Sequence, residues 1–364
     1  MKNVFYVVAV GFTVMISVGL IGCGVRDDEA EVVETPTPTP VVIVTPTPTP
    51  EVTPEPTPEP TPEPVIVPID LSFSGITDEI LADMVLSGDI PQKVEELNLM
   101  GNDLSDISPL HSLTELVWLD LERNKIEDIS SLVSLTKLTW LDLSGNRVAD
   151  ITSLEMLTEL TWLDLDYNQI TDISPLGSLS KLTNLVLHFN TIEDISPLQS
   201  LVFLTHLDLG LNDIEDISIL ESLTELTYLS LESNRVTDLK PIGSLVNLVR
   251  LELSSNEIQD LTPLSSLTDL DFLCLGNNQV RNISPLRSLT SLSELYLASN
   301  RINDLSPLNS LVQLVDLDVS YNRIWNISPL FSLVNLTSLG IYGNNVSVSQ
   351  RNRLAEALPD CIIG

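Results

Sequence analysis

The sequence predicts an α/β solenoid: a chain coiled repeatedly around one hydrophobic axis, with a parallel sheet on its concave side and short 3₁₀ turns on its convex side, capped at both ends. Three observations predict it. Twelve asparagines, Asn102, Asn124, Asn146, Asn168, Asn190, Asn212, Asn234, Asn256, Asn278, Asn300, Asn322 and Asn344, recur at an unbroken interval of 22 residues. Each closes the phrase Leu-x-x-Leu-x-Leu-x-x-Asn, as in Leu116 to Asn124. Each coil then carries a second apolar set, for example Ile126, Ile129 and Leu132, after a polar stretch. A unit this short buries its apolar face only by stacking on its neighbours.

Before the repeats come two segments of different composition. Lys2 precedes an uncharged, mostly apolar run from Val4 to Leu20 that ends Leu20-Ile21-Gly22-Cys23, which reads as an export signal. The Leu-x-Gly-Cys ending resembles the lipobox of bacterial lipoproteins. That resemblance implies removal of residues 1–22 and a diacylglyceryl group on Cys23, whose two acyl chains suffice for stable anchoring. The rival reading is an uncleaved membrane helix. Residues 23–68 then form a stalk, almost entirely Thr-Pro and Glu-Pro units from Thr35 to Pro64. Such a segment favours polyproline II and spans roughly 140 Å at about 3.1 Å per residue.

Residues 69–93 are expected to supply an amino-terminal cap, with Thr77-Asp78-Glu79 opening a helix. The array of twelve repeats covers 94–347, and 348–364 closes it with a helix and a last strand. The phrase and its Asp-Ile-Ser-Pro-Leu second half resemble the leucine-rich repeats of internalin type found in bacterial surface proteins. The resemblance implies a right-handed leucine-rich-repeat solenoid and a role in protein recognition, as in adhesion or cell contact.

Within each phrase, leucines at places one, four and six point inward, as Leu116, Leu119 and Leu121 do. The asparagine at place nine turns the chain out of the strand, and its amide is expected to satisfy backbone groups of its own and adjacent coils. In the second half Asp106, Asp128, Asp150, Asp172, Asp194, Asp216, Asp238, Asp260 and Asp304 recur at one place, with Asn282 and Asn326 as substitutes. They are expected to cap the 3₁₀ turns. A calcium stripe is the rival, disfavoured because one locally occupied carboxylate per coil makes a poor cage.

Places three, five and seven face outward from the sheet, with place eight at its rim. Trp118, Trp140 and Trp162 share place three on successive strands, which predicts a ladder, with Tyr167 and Phe189 at the rim beside it. His206 and Tyr228 continue the third place, while Asp120, Asp142 and Asp164 occupy place five and Asp166 place seven. Aromatic rings concentrated on an open face mark an interaction surface. These eleven side chains are the candidate ligand contacts. The expected partner is a protein with a cationic surface; the alternatives are a glycan stacked on the tryptophans and a purely structural envelope role.

The chain of 364 residues carries 17 Lys+Arg against 51 Asp+Glu, a formal charge of −34. That disfavours nucleic acid, whose backbone is bound by neutralising phosphates. No phosphate loop, Cys-x-x-Cys pair or nucleophile elbow occurs. Cofactors, bound metal and catalysis are not expected, the last because paired carboxylates on an open sheet should keep ordinary pKa values. Cys274 and Cys361 are expected to form no disulfide, Cys274 projecting from the concave face as an exposed spectator thiol. The protein is expected to be a monomer, exported and lipid-anchored on the outer face of a bacterial membrane.

Overall fold

The computed structural model describes residues 68–364; the signal segment, Cys23 and nearly all of the stalk lie outside them. The described residues form a single parallel sheet of fourteen strands in strict chain order. In sequence these are β1 (Ile69–Asp70), β2 (Glu96–Asn98), β3 (Trp118–Asp120), β4 (Trp140–Asp142), β5 (Trp162–Asp164), β6 (Asn184–Val186) and β7 (His206–Asp208). They continue through β8 (Tyr228–Ser230), β9 (Arg250–Glu252), β10 (Phe272–Cys274), β11 (Glu294–Tyr296), β12 (Asp316–Asp318), β13 (Ser338–Gly340) and β14 (Ile362–Ile363). A five-residue 3₁₀ turn, such as Ser174–Ser178, follows each strand from β2 to β12. The register from β2 to β13 is a shift of one repeat, so Trp118 pairs with Trp140 and Trp140 with Trp162.

Seven apolar side chains per coil fill the interior. In the coil of β3 they are Leu116, Leu119, Leu121, Ile126, Ile129, Leu132 and Leu135, all essentially inaccessible to water. Every inner coil meets two neighbours with the same seven positions, so one core runs the length of the array.

The asparagine ladder is built as expected. Asn124 Nδ2 donates to the carbonyls of Leu121 at 3.0 Å, Glu122 at 3.2 Å and, one coil back, Leu99 at 3.0 Å. Its Oδ1 accepts from Leu104 N of that preceding coil at 3.1 Å. The amide is thereby satisfied inside the stack. The tight turn around it holds place eight in the left-handed region, at φ 53° for Arg123, 48° for Tyr167 and 50° for Phe189. A non-glycine residue is strained there by about 1–2 kcal/mol, offset by the bonds that the asparagine makes.

On the convex side all eleven Asp or Asn side chains of the stripe accept from the N–H two residues on, for example Asp128 Oδ1 from Ser130 N at 2.8 Å and Asn282 Oδ1 from Ser284 N at 3.0 Å. The helix-cap position itself belongs to the following Ile or Leu, so each acid closes an Asx turn just ahead of the 3₁₀ segment. These bonds hold the carboxyls of Asp128, Asp172 and Asp216 below the ordinary range. Two further ladders carry no conspicuous sequence signature. Ser134 and Ser200 Oγ donate to carbonyls of the preceding coil at 2.8 Å. Thr161, Thr183 and Thr205 Oγ1 donate in sequence along the flank at 3.0–3.1 Å.

The ends are covered by helices. At the amino end α1 (Asp78–Ser87) is capped by Thr77, whose side chain accepts from Ile80 N. Asp78 is tied to the first coil by Ser105 N at 2.8 Å and Ser105 Oγ at 2.6 Å. At the carboxyl end α2 (Val348–Ala357) is capped by Ser347 and buries Leu354. Among the described residues no helix is long and apolar enough to cross a membrane.

Candidate functional site

The concave face is organised by row, because each place recurs on neighbouring strands about 4.8 Å apart. At place three, Trp118 and Trp140 stack with centroids 4.4 Å apart and an interplanar angle of 15°, and Trp140 and Trp162 at 4.3 Å and 7°. The three rings are half-buried. Both faces of Trp140 are therefore occupied by its neighbours, and the stack presents indole edges to the concavity. Among the described residues none of the three indole N–H groups donates within the chain, so they remain available to an acceptor.

The row does not end with the tryptophans. His206 stacks on Tyr228 at 4.1 Å and 6°, and the Arg250 guanidinium lies 4.0 Å from the centroid of Phe272, which tilts against Tyr296 at 5.6 Å. Burial holds the His206 imidazole below its ordinary pKa, so at neutral pH it is an uncharged ring. At the rim, Tyr167 and Phe189 stack at 4.4 Å and 16° and are each about half exposed.

The place-five carboxylates differ from expectation. Asp120 and Asp142 are only 7% and 8% exposed, because the tall rings of place three and the residues of place seven close over so short a side chain. Burial raises the pKa of both. Asp164 is pushed up to about 8, first by burial and then by the Asp142 carboxylate. Asp166 is pushed up to about 6, again chiefly by burial, and its Oδ1 is buried with no hydrogen-bond partner. The expectation that an open sheet leaves carboxyls unperturbed is corrected: a parallel row of identical acids crowds and desolvates itself.

Cys274 is likewise corrected. It lies on the concave side of β10 but is completely covered rather than exposed. Cys361 is a free cysteine packed against the core at the last coil.

Sequence reasoning missed His188. It stands at place seven with Nδ1 3.6 Å from Asp208 Oδ1, leaning over Gly210, where a Cβ would come within 2.5 Å of that nitrogen. Burial works against its positive charge, but Asp208, Asp166 and Glu232 outweigh it and the pKa is raised. The signal available in the sequence was a glycine at place seven immediately after a histidine at the same place. Also missed was Arg123, which pairs with Glu122 at 3.1 Å at the rim of the face. Asp120, Glu122 and Asp142 bring one oxygen each within 4.8 Å of one another, but Oδ1 of both aspartates already accepts from the chain, from Glu122 N and Ser144 N.

Family models described as leucine-rich repeats match residues 92–148, 158–200 and, in overlapping pairs, 202–332. The internalin InlF of Listeria monocytogenes is 37% identical with a TM-score of 0.73, over 75% of this chain and 80% of that one. A leucine-rich-repeat protein of Leptospira interrogans shares the fold at 24% identity and a TM-score of 0.67, over 81% and 95% of the two chains. The functional domain of InlJ from Listeria monocytogenes does so at 24% and 0.65, over 74% of this chain and 62% of that one. A comparison with curated proteins finds no match.

Proposed function

The chain belongs to the leucine-rich-repeat family, alongside the internalins, and from that premise we propose that its concave face recognises a protein partner at the cell surface. The observation that carries the reading is the edge-on stack of Trp118, Trp140 and Trp162, half-buried and bordered by Asp120, Asp142 and Asp164, with Asp166 farther along the strand row. A sugar ring binds tryptophan through its face, and here the inner faces are already stacked. Indole edges and free N–H donors instead suit backbone carbonyls and apolar side chains of a protein surface. The acidic rows favour a partner of positive charge. Tyr167, Phe189, His206 and Tyr228 extend the contact along the array. No catalytic step is assigned to the perturbed carboxyls, since raised pKa values also arise in purely structural rows.

We propose that residues 1–22 direct export, that Cys23 carries a lipid, and that a stalk over 23–68 lifts the array away from the membrane. Lipidation consumes the Cys23 sulfur. Mass spectrometry of the Cys23 peptide under non-reducing conditions is expected to find a thioether-linked lipid; a disulfide to another cysteine refutes the anchor.

The test of recognition compares the full chain with its Trp118→Ala, Trp140→Ala, Trp162→Ala variant in binding to cell surfaces before and after protease treatment of the cells. Loss of binding in the variant, and on protease treatment, is the expected result. Tryptophan-dependent binding that survives protease identifies a glycan instead, and binding indifferent to the tryptophans refutes the concave face as the site.

A further inference from the structure

The place-three row is a run of planar groups from β3 to β10 with one interruption. On β6 that place holds Asn184, and the place-five row breaks on the same strand, where Val186 stands in register between Asp164 and Asp208. Asn184 turns its side-chain carbonyl aside to accept from Thr183 Oγ1 at 2.9 Å. On one flank Trp162 lies parallel to Trp140 within 7°, and on the other His206 lies parallel to Tyr228 within 6°. Trp162 and His206 thus share the row two strands apart, roughly 9–10 Å by strand spacing, and each has its stacked neighbour on the side away from β6. A planar group in van der Waals contact with both faces needs roughly 7 Å, and two such groups roughly 11 Å. By strand spacing, one such group fits above the short Asn184 side chain.

Resting on the protein-recognition reading of this face, we propose that the notch over Asn184 and Val186 receives an arginine side chain of the partner, its guanidinium between Trp162 and His206 and its N–H edges turned to Asp164 and Asp208. The array already contains the same arrangement in its own chain: Arg250 occupies place three with its guanidinium over Phe272 and Glu252 beneath it at place five. An incoming arginine fills the one missing rung of the row. Planarity, weak hydration and five N–H donors match a slot with aromatic walls, an apolar floor and an acid on either side, and an arriving cation draws the proton off the Asp164 carboxyl. The neutral imidazole of His206 does not repel the cation. A lysine ammonium, compact and strongly hydrated, leaves the walls unfilled.

The test follows the indole N–H signals of the full chain, labelled with ¹⁵N-tryptophan, during titration with N-acetylarginine amide and N-acetyllysine amide. The Trp162 signal is expected to shift saturably with the arginine probe while that of Trp325, exposed on the convex side, stays in place. The lysine probe is expected to bind at least fivefold more weakly. Asn184→Trp, which extends the stack into the notch, is expected to abolish the response, as is the smaller Asn184→His, with far-UV circular dichroism confirming that each variant folds. A Trp162 signal that does not move, that moves equally with lysine, or that responds unchanged in folded Asn184 variants overturns the proposal. Cell binding separates this failure from that of the wider reading: dependence on the tryptophans without dependence on Asn184 overturns the notch alone, and independence of both overturns the concave face.

Discussion

Replacing Asp164 with asparagine should stabilise the protein at neutral pH and flatten the fall of its stability with rising pH. In the folded chain Asp164 keeps its proton up to about pH 8, whereas an aspartate in the unfolded chain ionises at about 3.9. Between those values the folded state binds more protons than the unfolded one, so stability falls as pH rises. The contribution is fully present below the unfolded pKa and lost as pH approaches 8. An isolated group loses about 1.4 kcal/mol per pH unit, or about 4 kcal/mol from pH 4 to 7. Asp142 shares the same desolvation and charge, and partial opening of a repeat array relieves the site, so we expect on the order of 2 kcal/mol. Asparagine has the same shape and retains the acceptor that Asp166 N uses at 2.8 Å. The assay is the urea midpoint of the full chain and the variant from pH 5 to 8, by circular dichroism. The convex aspartates do not interfere, because their lowered pKa values act only below pH 4. The wild-type midpoint should fall by several tenths of a molar across the range, and the variant should fall less and lie higher at pH 7. A wild-type midpoint that is flat or rises, or a variant that tracks it, refutes the reasoning.

Three further outcomes are expected. Asn212→Ala removes three donated bonds of 2.9–3.1 Å and one accepted from Ile192 N, leaving buried backbone groups unpaired; it should destabilise by about 2–4 kcal/mol, read as a lower thermal midpoint. Gly210→Ala places a methyl against His188, should push the ring away from Asp208, and should lower the imidazole titration midpoint measured by NMR; an unchanged midpoint means that Asp208 does not hold it. Trp140→Ala removes two stacking contacts of about 0.5–1.5 kcal/mol each and Trp118→Ala only one, so the first should destabilise about twice as much in thermal melts and also erase the exciton band of the coupled indoles.

The repeat itself was legible from residue identities. A phrase of fixed length, with leucines at places one, four and six and asparagine at place nine, admits one inward set and one turn, and every coil must then take its neighbour as partner. The ring ladder followed by the same logic, since Trp118, Trp140 and Trp162 share a place. What tertiary structure decided is how deeply each outward residue sits and which way it faces. Asp120 and Asp142 occupy outward places, yet taller neighbours bury them, and Cys274 at an outward place is covered too. Three tryptophans on one row suggested open faces for a ligand, yet the strand spacing nearly matches the stacking distance and the rings spend their faces on one another. His188 became part of an acidic cluster only because Gly210, one coil away, has no side chain to hold it off. Periodicity determines which residues are neighbours; desolvation and stacking arise from the sizes of those neighbours together, and only the assembled coil settles them.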